Sequence, residues 1–203
     1  RLIGAHLREG APVSWQGHDL DFTGVMFDGG DFSRSVFSAG MVSFIGTTFT
    51  GGTVDFTDAT FTGATVNFTD ARFSGGRVFF ALATFSGGTV NFDGATFSGG
   101  TVDFIAARLS GGTVDFSEAR LSGGEIDFVA ATFSGATVDF TDARLSGGEI
   151  DFADATFTGA TVKLDGVMFS NDGTVDLSSP GRWDVPPTGL PEPTPAGLLL
   201  PKE

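Results

Sequence analysis

Residues 85–104 read Phe-Ser-Gly-Gly-Thr-Val-Asn-Phe-Asp-Gly-Ala-Thr-Phe-Ser-Gly-Gly-Thr-Val-Asp-Phe, with large apolar residues at Phe85, Phe92, Phe97 and Phe104 in steps of seven, five and seven. The same alternation runs outward to Phe49 on one side and Phe169 on the other, with Leu replacing Phe at Leu109, Leu121, Leu145 and Leu164. From Phe56 onward a smaller apolar residue precedes each by two positions. Val or Ile fills one such column from Val54 to Val162 and Ala fills the other from Ala59 to Ala155. Apolar residues flanking a polar one at period two mark a strand with one buried face.

Each twelve-residue unit divides into two short strands, Val-Asp-Phe and Ala-Thr-Phe, joined by a Gly-rich link. A helix is excluded, because each Gly pair (Gly75-Gly76, Gly99-Gly100, Gly123-Gly124) would cost it about 2 kcal/mol relative to Ala. At a corner the same glycines are expected to supply positive φ. Strands this short cannot form a sandwich, but stacked coils bury them by lateral addition.

The front of the array carries a family resemblance. Leu20-Asp21-Phe22-Thr23-Gly24, followed by strict steps of five through Phe27, Phe32 and Phe37, resembles the motif of the bacterial pentapeptide-repeat family. After Ala39 every second pentapeptide gains two residues, giving a variant with alternating five- and seven-residue spacing. The resemblance covers residues 20–179 and implies an all-β, right-handed parallel quadrilateral β-helix with one pentapeptide per side.

Coil length can be read from the columns. The position after Val-Asp-Phe reads Thr69, Asp93, Ser117, Thr141 and Asp165 in one set and Ala81, Ile105, Val129 and Ala153 in the other. Polar and apolar alternate, so positions 24 apart stack and positions 12 apart face opposite ways. A coil therefore holds about 24 residues, with a first coil of about 20, and six to seven coils build a rod of about 30 Å. Residues 1–19 are expected to cap the front or to end a preceding segment, with Trp15 over the first coil. Residues 180–203, holding seven of the eight Pro, are expected to form an extended tail with Trp183 over the last coil. Asn171-Asp172-Gly173 breaks the register by one residue.

Composition narrows the function. Twenty-five acidic against 11 basic side chains give a net charge of −14, which disfavours direct nucleic-acid binding and favours cationic partners. Without Cys there is no disulfide, thiol nucleophile or thiolate metal site. No apolar stretch is long enough to span a membrane and no leader opens the chain, which suggests a cytoplasmic protein. His6 and His18 are the only imidazoles and both precede the repeats. No catalytic, cofactor or metal constellation is present, and the chain reads as a non-enzyme with no cofactor.

Two surfaces remain. Asp55, Asp103, Asp127 and Asp151 form an acidic ladder on one side, interrupted by Phe79, and Asn67, Asn91, Asp115 and Asp139 form another. The family resemblance implies, as an alternative, an acidic DNA mimic that binds a type II topoisomerase such as gyrase; the plainer reading is a solvated motif position. Arg120 and Arg144, with Glu118 and Asp142 nearby, are expected to make exposed cross-strand ion pairs. The more informative surface is apolar: Phe79, Ala81, Leu82, Ile105, Ala106, Val129, Ala130 and Ala153 gather on one outward side. Such a patch marks a contact surface for a protein partner or a second copy, with the N-terminal segment and Leu198-Leu199-Leu200 as intramolecular candidates. The principal reading is a rigid scaffold for protein–protein interaction.

Overall fold

The computed structural model describes residues 2–170 and 172–201, and Asn171 at the register break lies outside the described residues. The chain winds through four parallel sheets in turn, forming a right-handed quadrilateral β-helix. The first face runs from Leu20–Asp21 to Thr161–Lys163, the second from Met26–Phe27 to Met168–Phe169, the third from Gly30–Asp31 to Leu198–Leu199, and the fourth from Val36–Phe37 to Arg182–Trp183. Among the described residues three faces have seven strands and the third has eight.

Registers fix the coil. Val66 pairs with Val90 and Val90 with Val114, an advance of 24 residues. The first coil advances 22, with Leu20 opposite Val42 and Met26 opposite Thr48, rather than the expected 20. The two residues Ala39-Gly40, inserted before Met41, already lengthen it. Between Ile150 and Val175 the advance becomes 25, which is the break read near residue 171.

The longer strands sit one residue earlier than the period-two pattern indicates, and the shorter ones lack its leading Ala. The longer ones are Thr-Val-Asp, such as Thr101–Asp103, and the shorter ones Thr-Phe, such as Thr96–Phe97. Thr101 joins the ladder because its N–H donates to the Gly76 carbonyl of the coil below (3.2 Å). Phe104 instead opens a tight turn whose carbonyl accepts from the Ala107 N–H (2.9 Å). The third residue of that turn, Ala106, has φ +54°, the mark of a type II turn.

Four columns of Phe and Leu fill the interior. Phe44, Phe68, Phe92, Phe116 and Phe140 stack face to face at 4.7–5.0 Å, and rings on neighbouring faces meet tilted or edge-on, as for Phe68 and Phe73 at 6.0 Å. Nearly every one of these side chains is fully buried. Each contributes about 1.5–3 kcal/mol, so the columns dominate stability.

Both ends are closed by non-repeating chain. At the front, the helix Leu2–Leu7 buries Leu7, Trp15 packs on the core, and His6 stacks on Trp15 at 4.3 Å. The Arg8 guanidinium then reaches Asp31 (3.2 Å). At the back, residues 180–201 do not run free as an extended tail. Trp183 continues the Phe157 column at 5.2 Å, and Leu198–Leu199 adds a strand to Val175–Asp176, because the last coil offers unpaired backbone and an open ring column that water satisfies poorly.

The glycine links serve two purposes. Gly88 and Gly112 have positive φ, as expected, whereas Gly76, Gly100, Gly124 and Gly148 do not. These four are small by necessity: a Cβ on Gly100 would lie 2.8 Å from the Phe73 Cβ, and one on Gly124 2.6 Å from the Phe97 Cβ. The adjacent Gly99 would meet nothing closer than 3.5 Å. Gly100→Ala is therefore expected to destabilise by about 1–3 kcal/mol through overpacking, while Gly99→Ala is neutral or stabilising by up to about 1 kcal/mol. Urea unfolding midpoints of the two neighbouring variants check this.

Candidate functional site

The acidic ladders are built by the corner turns. On the third face Asp103, Asp127 and Asp151 lie in register, with Phe79 between Asp55 and Asp103. On the first face Asn67, Asn91, Asp115 and Asp139 stack the same way, and Lys163 takes the next rung. Each ladder residue turns one side-chain oxygen back to accept the N–H two residues on: Asp103 from Ile105 (2.7 Å), Asp127 from Val129 (2.8 Å), Asn91 from Asp93 (2.7 Å). An Asn oxygen does this as well as a carboxylate, which explains why the ladder mixes the two.

The two ladders differ in the residue two positions further along the chain. On the first face three of these residues add a hydroxyl, as Thr69 donates to Asn67 (2.7 Å) and Ser117 to Asp115 (2.6 Å), with Thr141 doing the same for Asp139, whereas Asp93 gives Asn91 only its N–H. Burial pushes the Asp139 carboxyl up, but hydrogen bonds from Lys163 (2.7 Å) and Thr141 outweigh it and leave the group below its ordinary value. On the four central coils of the third face that position holds Ala81, Ile105, Val129 or Ala153, which donate no hydroxyl, while Ser33, Thr57 and Ser178 hold it toward the ends. Burial there raises Asp103, and burial with the repulsion of Asp103, Asp151 and Glu125 raises Asp127. Glu149, stacked on Glu125, is raised for the same reasons.

Those apolar residues meet at the corner between the third and fourth faces. Leu82 N–H donates to the Ile105 carbonyl, Ala106 to Val129 and Ala130 to Ala153, each at 2.9 Å, so successive turns stack into one ridge. Leu82 is 45% exposed and Ile105 37%; Ala130 is exposed, and Ala81, Ala106, Val129 and Ala153 are half-buried. Phe79 lies beside the ridge on the third face, half-buried at its ladder position. The diagonally opposite corner carries Thr69-Asp70, Asp93-Gly94, Ser117-Glu118 and Thr141-Asp142. The N-terminal segment docks at Asp31 to Ser35 and Leu198–Leu199 at the far end, so neither intramolecular candidate occupies the ridge.

Other candidates separate. Arg120 and Arg144 are vertical neighbours on the second face, but neither pairs with a carboxylate among the described residues. Among the described residues the ion pairs are Arg8–Asp31, Lys163–Asp139 and Arg182–Asp184. Glu118 and Asp142 sit at the positive-φ position of the corner turn, which faces them away from the flat second face. His6 is committed to the front cap, its Nδ1 2.8 Å from the Val13 carbonyl. Among the described residues no group of three or more His, Asp or Glu is placed to hold a metal ion, and no helix is long and apolar enough to cross a membrane. An open apolar cleft of about 390 Å³ at the back end, framed by Trp183, Leu190, Leu200 and four prolines, has little signature in the sequence. The clustering of Pro beside Trp183 is its only signal.

The fold and surfaces define a right-handed parallel β-helical repeat protein with four faces, one apolar corner and capped ends. No family model matches the chain and no curated protein matches it. Among solved structures it is similar to a trypsin-treated variant of QnrB1, a plasmid-mediated fluoroquinolone resistance protein, at 19% identity over 77% of this chain and 89% of that one, with a TM-score of 0.27. Full-length QnrB1 gives 21% identity over 83% and 92%, with a TM-score of 0.16. Superpositions this loose carry no argument about function.

The ladder chemistry gives a prediction. Asp127→Asn keeps the turn acceptor and removes a repelled carboxylate, so it is expected to stabilise by about 0.5 kcal/mol at pH 7; Asp127→Ala loses the acceptor and costs about 1 kcal/mol. Because the folded pKa of Asp127 is raised, the wild type carries the penalty above that pKa and sheds it as pH falls through it toward the unfolded value. The advantage of Asn should therefore shrink on acidification, read as converging thermal midpoints of the two proteins.

Proposed function

We propose that this chain is a pentapeptide-repeat β-helix without catalytic activity that holds a rigid apolar corner out to a protein partner. The observation that carries the reading is the ridge of Leu82, Ile105-Ala106 and Val129-Ala130 on three consecutive coils, with Ala153 above it, while the diagonal corner, below which Ile45 stands, is polar on every coil from Thr69-Asp70 to Asp165-Gly166. The backbone adds support. Every residue at the left-handed position of the apolar corner from Arg34 to Asp154 has a side chain, whereas the polar one alternates Gly24, Gly46, Gly94 and Gly166 with Asp70, Glu118 and Asp142. An L-residue there costs about 1–2 kcal/mol relative to an unstrained conformation, and Asp tolerates it better than Leu82, Ala106 or Ala130 can. A ridge made for solvent would favour Gly or Asp at those sites.

The reading as a non-enzyme rests on the surface pattern: outward side chains recur in columns and converge on no unique cleft. The acidic DNA mimic remains the alternative, and the ladder geometry favours it little. One oxygen of each carboxylate is held in a turn, and Asn67 and Asn91 occupy equivalent rungs.

Photo-crosslinking in cells of the source organism tests the proposal. A benzoylphenylalanine in place of Ile105 is expected to give a heavier adduct that disappears when Leu82→Asp is added, whereas the same probe in place of Glu118 on the polar corner gives none. Identical adducts from both positions would overturn the reading, as would inhibition of gyrase supercoiling to the same extent by the parent chain and by Ile105→Asp.

A further inference from the structure

The carboxylates that flank the apolar corner lie on one side only. Toward the third face, the residue just before each turn is Asp103, Asp127 or Asp151, in register from coil to coil. One oxygen of each is held by the turn N–H, at 2.7–2.8 Å. Two residues further back on the same face stand Thr101, Glu125 and Glu149, also in register, with Arg77 one coil below. Toward the fourth face the outward residues on the same coils are Thr84, Arg108, Thr132 and Thr156. The ridge thus has five carboxylates on one flank over coils 101–151 and only Arg108 with threonines on the other. Asp58 and Asp154 bound it below and above.

Resting on the reading of this corner as a contact surface, we infer that its partner is a cationic protein whose apolar groove is bordered by Lys or Arg along one edge only. Shape and charge each contribute. A β-helix corner is convex, so Ile105 and Val129, about 4.8 Å apart on successive coils, and Leu82 in the adjacent column of the coil below act as knobs and require a groove rather than a matching ridge. A groove between two helices presents apolar side chains at about 5.4 Å per turn, close enough to follow three rungs. The third-face carboxylates are already crowded: burial and mutual repulsion disfavour ionised Asp127 and Glu149. Cations brought beside them relieve that repulsion on binding, whereas a second copy of a chain with net charge −14 would add to it. Arg108 on the opposite flank excludes a partner basic on both edges and fixes the direction in which the groove lies.

The test uses the full chain as bait and a displayed library of helical-hairpin miniproteins randomised along the groove between their helices. Binders are selected on the parent chain and counter-selected on Ile105→Asp, which faces solvent at the first central turn position and leaves the core intact. Corner-specific binders are expected to carry Lys or Arg along one groove edge and to weaken by at least tenfold between 50 and 300 mM NaCl. They should weaken by about tenfold on the bait Asp127→Asn/Glu149→Gln/Asp151→Asn. Circular dichroism and thermal midpoints of each bait guard against misfolding. Corner-specific binders with neutral edges and salt-independent affinity overturn the inference about charge while leaving the corner as a contact surface. An absence of corner-specific binders, or a parent chain whose dimer mass by light scattering falls to that of a monomer in Ile105→Asp, overturns the inference outright; the first of these also removes support from the corner as a contact surface.

Discussion

The spacing of parallel backbone hydrogen bonds governs everything else in this molecule. Strands one coil apart are held at the distance at which aromatic rings stack, and Phe68 lies on Phe92 at 4.8 Å with the rings nearly parallel. Whatever residue type occupies a position is then repeated against itself at that distance. For Phe, Val and Thr the repetition stabilises; for a carboxylate it repels. The molecule resolves the conflict locally. Ladder carboxylates bind the turn N–H, some rungs use Asn, and Lys163 closes one ladder with an ion pair to Asp139.

The coil period was legible because diagonal corners have different surroundings. Thr69, Asp93 and Ser117 against Ala81, Ile105 and Val129 could alternate so cleanly only if positions 12 apart never share a corner. The exact strand limits were less legible. Burial alternates through Val-Asp-Phe, but Phe104 is both buried and the first residue of a turn, and side-chain pattern alone cannot separate the two roles. The corner glycines mislead for a related reason: Gly112 and Gly124 look alike in sequence, yet one is fixed by its dihedral angle and the other by the Cβ of Phe97. The Arg120 and Arg144 pairs were expected from proximity in sequence, which is a poor guide when a turn separates Glu118 from the flat face.

Non-repeating chain was the hardest to read. Trp183 and Leu198 carry no periodic signal, but each meets an unfinished end of the array, one an open ring column and the other an unpaired strand. The front is closed in the same way by Leu7 and Trp15. With the front and back coils covered by this chain, the surfaces that the repeats themselves present are lateral.

Among those surfaces, repetition again decides which is distinctive. A contact that used a single residue type in every coil could slide by one rung, because each rung would present the same chemistry about 4.8 Å further on. The apolar corner does not have this degeneracy. Its first outward position changes from Ala81 to Ile105 to Val129, its left-handed position changes from Leu82 to Ala106 to Ala130, and it is bounded by Asp58 and Asp154. A partner shifted by one rung would bury a carboxylate without a mate and lose a knob from its groove, and burying an unpaired charge costs several kcal/mol. The same coil-to-coil spacing that makes the rod regular thus makes this irregular stretch a place with a defined register.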